Sequence, residues 1–256
     1  MKLFVYSPIK KVYFILICLL FCFMQNSFSM DNFEKDTINT SDGDLIITFI
    51  GHGTLMFEYK NLIIHVDPTM GEADYSKLPI GSLILVTHQH GDHFDVNALQ
   101  HIMKDGTILF LTEKCAENAE DLAITKVLKN GDITKAYDIT IEAIPAYNIK
   151  HLRKNGKPYH PKGEGNGYIM TFGDKKVYIA GDTENIPEMK ALKDIDIAFL
   201  PMNLPYTMTP EMVADAAKAF RPKILYPYHF GSTNTMELVN LLKNENNIDV
   251  RIRDMN

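Results

Sequence analysis

The sequence predicts a mixed α/β (α+β) fold in which sheets are covered by helices. In the first third of the chain, short runs rich in branched and aromatic residues follow one another across turn signals. Further along, such runs alternate with stretches of helical periodicity, the pattern of sheets with helices laid against them. Between the two regimes lies SLILVTH at 82–88, whose continuous apolar run reads as a buried strand.

Residues 30–43 are polar, end in SDGD, and read as a flexible lead-in. Strands follow at 45–50 (LIITFI), 55–59 (LMFEY) and 61–67 (NLIIHVD), with GHGT and YKN as the turns. After the 82–88 strand, Asp95 can cap a helix whose apolar positions include Val96, Leu99, Ile102 and Met103. A strand at 107–112, a short helix at 113–123 and further strands over 125–144 come next. Residues 167–183 form a hairpin, two apolar runs around Gly173-Asp174. A strand at 195–202 precedes a helix over 210–220, capped by Thr209 and opened by Pro210. A strand at 223–229, a helix at 235–244 and a last strand at 248–252 complete the chain. No linker divides 44–256, which reads as one domain.

The first 29 residues differ from the rest. Lys2, Lys10 and Lys11 precede an apolar run from Val12 to Met24, and Ser27 and Ser29 follow it. This is the pattern of a secretory signal, with an uncleaved anchor as the alternative; the run is short for a membrane span. The expectation is an exported protein, periplasmic or extracellular, with no stable span after cleavage. Removing residues 1–29 takes away three lysines and no acid, which moves the formal charge from −6 to −9. Such a surface does not favour nucleic acid. Cys115 is the one cysteine left, so no internal disulfide forms within residues 30–256.

The ionisable residues fall in a pattern. His88 follows LILVT, Asp182 follows VYIAG and His229 follows ILYPY, each at the end of an apolar run. His90, Asp92 and His93 extend the first of these. Ligands gather beyond the carboxyl ends of strands in such sheets. In H-x-H, residues two apart can face the same way, and a turn at Gly91 lets Asp92 and His93 face a second point nearby. Neutral imidazoles and carboxylates suit zinc, with manganese or iron as alternatives. A lone histidine of this kind is usually a solvated surface residue; three strand ends supplying His or Asp together argue for metal binding.

THQHGDH resembles the H-x-H-x-D-H signature of the metallo-β-lactamase superfamily. The likeness extends over about 44–252: IGHGTLMFEYKNLIIHVDP is similar to the opening hairpins, GYIMTFGDKKVYIAGDT to the strand pair carrying a bridging Asp. Residues 200–231 resemble the C-terminal part of a branch of metal-dependent hydrolases with lactonase-like and phosphodiesterase-like relatives. The resemblance implies a four-layer αββα sandwich with two divalent ions on one edge. It implies that His88 and His90 bind the first ion, that Asp92, His93 and His229 bind the second, and that Asp182 bridges. A third histidine for the first ion is expected after the strand ITIEAIPAYN, where this chain has Asn148, a poor zinc ligand. His160, in YHPKGEGNG, is the first candidate to supply the missing nitrogen; His151 is weaker, and a water remains open.

His52, in GHGT, lies near the expected pocket, whereas His65 inside a strand and His101 on a helix read as structural. The implied chemistry is hydrolysis by a dinuclear metal-bound hydroxide at a carbonyl or phosphoryl centre of an ester, lactone or phosphodiester. Asp92 would orient the nucleophile or pass a proton, and the Tyr206 hydroxyl would donate to a developing oxyanion. Alternatives are a phospholipase D-like or nucleotide phosphodiesterase, and a metal-binding relative without turnover. The stretch 150–165 carries Lys150, Arg153, Lys154, Lys157 and Lys162 against Glu164. Folded over the metals, it would attract a small anionic substrate; otherwise it is a charged mobile loop.

Overall fold

In the computed structural model, residues 33–120 and 122–255 are described. The expected signal segment lies outside them. Strands β1 (Lys35–Thr40), β2 (Gly43–Gly51), β3 (Thr54–Tyr59) and β4 (Leu62–Val66) form an antiparallel meander. Strands β5 (Leu83–Leu85), β6 (Ile108–Leu111) and β7 (Lys126–Val127) then add in parallel. The second sheet repeats this plan. Its meander is β8 (Ile133–Ala136), β9 (Ile139–Ala146), β10 (Gly165–Phe172) and β11 (Lys175–Ile179), and its parallel additions are β12 (Ile197–Pro201), β13 (Ile224–Tyr228) and β14 (Asp249–Val250).

The two seven-stranded sheets face each other. Leu45, Ile47 and Phe49 of β2 and Phe57 of β3 pack with Phe172, Phe199 and Tyr226 of the other sheet. Phe57 stacks on Phe172 with ring centroids 6.1 Å apart, and Phe49 meets Tyr226 at 5.1 Å. Helix α1 (Val96–Ile102) covers the outside of the first sheet, where Leu99 and Ile102 meet Ile84, Val86 and Leu109. Helix α4 (Pro210–Phe220) covers the second, setting Phe220 edge-on to Tyr178 of β11, and α5 (Thr235–Leu242) buries Leu238 and Leu242 beside it. This is the αββα arrangement. Helices on the outer faces explain why β5, β6, β12 and β13 are apolar almost without alternation.

The predicted caps are present. Asp95 accepts from the N–H groups of Asn97 and Ala98, and Thr209 from that of Met212. Three expectations need correction, and one short helix adds to them. Lys35–Thr40, read as part of a flexible lead-in, is an edge strand paired from Lys35↔Thr48 to Thr40↔Gly43. Its Asp36 takes hydrogen bonds from Tyr226 and from Arg253 Nη2 at 2.7 Å, contacts that no local pattern announces. The 82–88 strand pairs only over Leu83–Leu85, because the Thr87 N–H and hydroxyl go to the Asp67 side chain. The helix expected at 113–123 is α2 (Glu113–Ala116), and α3 (Pro187–Lys190) was not expected. Among the described residues, no helix is long and apolar enough to cross a membrane.

The ends of β4, β5, β9, β11 and β13 meet at one edge, and Gly181 shows how closely they approach. It holds φ +63°, and a Cβ there would stand 2.8 Å from the Asn166 carbonyl oxygen and 3.1 Å from Thr87 Cβ. Gly181→Ala is expected to cost about 2–4 kcal/mol, combining a left-handed backbone with overpacking. Urea unfolding checks this; an unchanged midpoint would show that the edge has slack.

Candidate metal centre

The site is assembled around the turn that follows β5. Asp67, at the end of β4, accepts the Thr87 N–H at 2.7 Å and the Thr87 hydroxyl at 2.6 Å. The N–H groups of His93 and Phe94 both reach the His90 carbonyl, which closes the turn at Gly91. His88 and His90 therefore face one point, while Asp92 and His93 face another.

At the first point three ring nitrogens converge. His90 Nδ1 lies 3.1 Å from both His88 Nε2 and His160 Nε2. The Thr87 hydroxyl, having donated to Asp67, accepts from His88 Nδ1 at 3.0 Å, leaving His88 Nε2 free to bind. At the second point, Asp92 Oδ2 is 3.5 Å from His229 Nε2 and 3.9 Å from His93 Nε2. Asp67 Oδ2 accepts from His93 Nδ1 at 2.8 Å and directs His93 Nε2 into the site. Asp182 stands between the points. Its Oδ2 is 3.2 Å from His160 Nε2 and 3.4 Å from His229 Nε2, and its Oδ1 is 3.5 Å from His93 Nε2.

Asn148 is not a vacancy. Its Oδ1 accepts from the His160 backbone N–H at 2.7 Å and from His160 Nδ1 at 2.9 Å. Its Nδ2 donates to the Tyr206 carbonyl at 2.8 Å, so the amide cannot turn over without losing these partners. Asn148 thus holds the ring of His160, whose Nε2 joins His88 Nε2 and His90 Nδ1 at the first point. His151 points elsewhere, onto Glu184 Oε1 at 2.8 Å. His65 is buried in β4 with Nε2 on the Pro79 carbonyl, and burial pushes its pKa down to about 4. His101 is exposed in the last turn of α1. Asp67 and Thr87 carried no assigned role in the sequence; an acid ending an apolar strand was the available signal.

The electrostatics suit cations. Burial lowers the pKa values of His88 and His90, with the neighbouring histidines adding to it, so both are neutral ligands. Burial also opposes charge on His93, but Asp182, Asp67 and Asp92 outweigh it and raise its pKa to about 9. Asp182 and Asp92 are raised by burial and lowered further by the surrounding histidines, and stay ionised. A metal ion would take the place of the His93 proton. The buried His93 Nε2, His229 Nε2 and Asp182 Oδ1 have no hydrogen-bond partner, which is how ligand atoms look without their ion. The donor set fits two divalent ions.

A cavity of about 360 Å³ opens above these residues. His52, His90, Asp92, Asp182 and His229 line it on the metal side, and Arg153, Tyr159, Asn203 and Tyr206 toward the rim. Of the basic stretch 150–165, Arg153 reaches this cavity, its guanidinium 4.8 Å above the Tyr159 ring. Lys162 is turned to Glu188 and Tyr147. Tyr206 is 45% exposed and meets Tyr159 edge-on at 5.1 Å.

Two facing sheets with His and Asp donors along a shared edge define a metal-binding αββα protein. Residues 46–229 match the beta-lactamase superfamily domain. A UPF0173 metal-dependent hydrolase from Nanoarchaeum equitans is 31% identical over 192 residues, covering 73% of this chain and 84% of that protein. A crystal structure described as that of a metal-dependent hydrolase from Parabacteroides distasonis is 50% identical, with TM-score 0.82, covering 88% of this chain and all of that one. Igni18, a metallo hydrolase from Ignicoccus hospitalis, shares the fold at 22% identity and TM-score 0.64, over 82% of this chain and 95% of its own. The chain belongs to the beta-lactamase superfamily, in its UPF0173 metal-dependent hydrolase family.

Asn148→Ala removes the acceptor behind His160. It is expected to weaken binding of one metal ion about 10–100-fold, as for other outer partners of a ligand histidine. Asn148→Asp keeps the acceptor but turns a carboxylate oxygen toward the Tyr206 carbonyl and Glu184, so it should recover only part of that affinity. Competition titration against a chromophoric chelator measures both; equal affinity in Asn148→Ala and the unmutated protein would refute the positioning role.

Proposed function

We propose that the protein is a hydrolase working with two divalent ions, zinc first and manganese or iron as alternatives. Its substrate is a small anionic ester, lactone or phosphodiester. The observation that carries this is the pair of donor groups sharing Asp182 on the floor of an open cavity. His88, His90 and His160 would hold one ion and Asp92, His93 and His229 the other, with Asp182 within reach of both. Bound there, the ions supply Lewis acidity toward the substrate oxygen and make a water acidic near neutral pH.

The chain supplies the rest. Asp92 is half-exposed toward the cavity and held ionised by the surrounding histidines, so it can orient the attacking water by accepting a hydrogen bond from it. Tyr206, at the rim, offers its hydroxyl to the oxygen that gains charge. Arg153 has no carboxylate partner among the described residues and faces the cavity, which favours an anionic group on the substrate. The Asn148–His160 and Asp67–His93 hydrogen bonds keep ligand rings from turning during the reaction.

The test combines metal analysis with a panel of esters, lactones, lactams and phosphodiesters. The unmutated protein is expected to hold two ions and to turn over one of these classes. His90→Ala and Asp182→Asn should each lose metal and lower kcat/KM at least about 100-fold. Arg153→Ala should raise KM for an anionic substrate with little change in kcat. Retention of both metal and activity in His90→Ala and Asp182→Asn would sink the site assignment. Full metal occupancy with no turnover across the panel would favour a binding protein.

A further inference from the structure

His52 is outside the ligand set that the resemblance implies, yet it is built into the second metal position. Its Nε2 lies 3.3 Å from Asp92 Oδ2, the same oxygen that is 3.5 Å from His229 Nε2 and 3.9 Å from His93 Nε2. One donor atom from each of these four residues lies within 4.8 Å of every other. Two donors about 2.0–2.1 Å from a single zinc, at a tetrahedral angle, stand roughly 3.4 Å apart. The spacing around Asp92 Oδ2 is that of one coordination sphere already gathered. We propose that His52 is a ligand of the second metal ion, so that His52, Asp92, His93 and His229 bind it together with the shared Asp182.

The backbone around His52 serves this placement. His52 holds φ +48° and His229 holds φ +47°, a left-handed conformation that is uncommon outside glycine and stores strain. The two are joined directly, the His229 N–H donating to the His52 carbonyl at 2.8 Å, while the His52 N–H is anchored on the Met255 carbonyl at 2.7 Å. Their rings lie against each other with centroids 3.8 Å apart. Gly53 permits the approach: a Cβ there would come within 2.6 Å of His93 Cε1. The GHG turn therefore rests on one ligand ring, is hydrogen-bonded to a second ligand residue, and aims its own imidazole at the carboxylate of a third. A histidine serving only as a surface residue would not require this backbone.

One consequence is an order of filling. With His52, the second position has five protein donors including Asp182, and the first has four. The second ion is held more tightly, and the first position keeps more room for exchangeable ligands.

The inference rests on the metal-binding reading above, and its test separates the two. Cobalt(II) and zinc(II) are titrated into unmutated protein, His52→Ala and His52→Gln in competition with a chromophoric chelator. Gln can hydrogen-bond Asp92 but is a poor ligand for these ions. Both variants are expected to lose at least about 100-fold in affinity for the tighter ion, with an altered cobalt absorption spectrum, and to keep the weaker affinity. His160→Ala should instead weaken the looser ion. In the cobalt-loaded unmutated protein, proton NMR should show hyperfine-shifted signals from six histidine rings (His52, His88, His90, His93, His160 and His229). This readout needs no variant to fold. Five such rings, or a His52→Gln protein within about threefold of the unmutated affinity and with the same spectrum, would overturn the ligand assignment and leave the two-metal reading standing. Failure of the unmutated protein to bind two ions would overturn both.

Discussion

Asp67 has two carboxylate oxygens and three hydrogen-bond donors, and the edge of the sandwich is organised around them. The residue is fully buried, where an unpaired carboxylate would be strongly unfavourable. The Thr87 N–H, the Thr87 hydroxyl and His93 Nδ1 satisfy it. Those three bonds end the pairing of β5, begin the ligand-bearing turn and set the tautomer of a ligand. Asp67 itself holds φ +49°, like His52 and His229. Three non-glycine residues in left-handed conformation at one edge mean that the surrounding sheets impose this geometry, as expected where strain is stored at a functional site. The rigid part of the molecule is thereby coupled to the direction of single nitrogen lone pairs.

The same logic recurs at each well-defined ligand. Asp67 stands behind His93, Asn148 behind His160 and Thr87 behind His88, and in each case the bond made at the back of the ring leaves the front nitrogen aimed inward. The partners differ in charge. A carboxylate behind His93 raises that ring's basicity more than an amide oxygen does behind His160 or a hydroxyl behind His88. The two groups of donors therefore differ in strength, and Asp182 is the one carboxylate that stands between them.

Much of this was legible in the sequence, for local reasons. Strands, hairpins and helix caps depend on residues close in the chain, and THQHGDH carries its ligands within one turn. What was missed depends on distant partners. Lys35–Thr40 alternates polar and modestly apolar residues, and it becomes a strand because Asp36 meets Arg253 and Tyr226 from the far end of the chain. The role of Asp67 requires knowing that β4 lies beside β5. Asn148 shows the same dependence on distant partners. Its chemistry makes it a poor zinc ligand. Only the return of the chain twelve residues later shows that it holds the ligand instead.

That return also constrains how specificity can change. The segment from Asn148 to His160 supplies a candidate ligand, through His160, and part of the cavity rim, through Arg153 and Tyr159. It is fastened at its start, where the buried Glu184 carboxylate accepts the N–H groups of Ile149, Lys150 and His151 at 2.7–2.8 Å, two residues beyond Asp182. A ligand supplied from a strand end would leave the neighbouring loop free to vary with substrate. Here the loop that lines the cavity rim would, on the proposed reading, also have to place His160 against an ion. Substitutions confined to Arg153 and Tyr159 can alter selectivity alone. Insertions or deletions between residues 149 and 159 would move His160 and so act on metal affinity as well. Fold alone leaves the substrate open, but this coupling limits which parts of the rim are free to tune it.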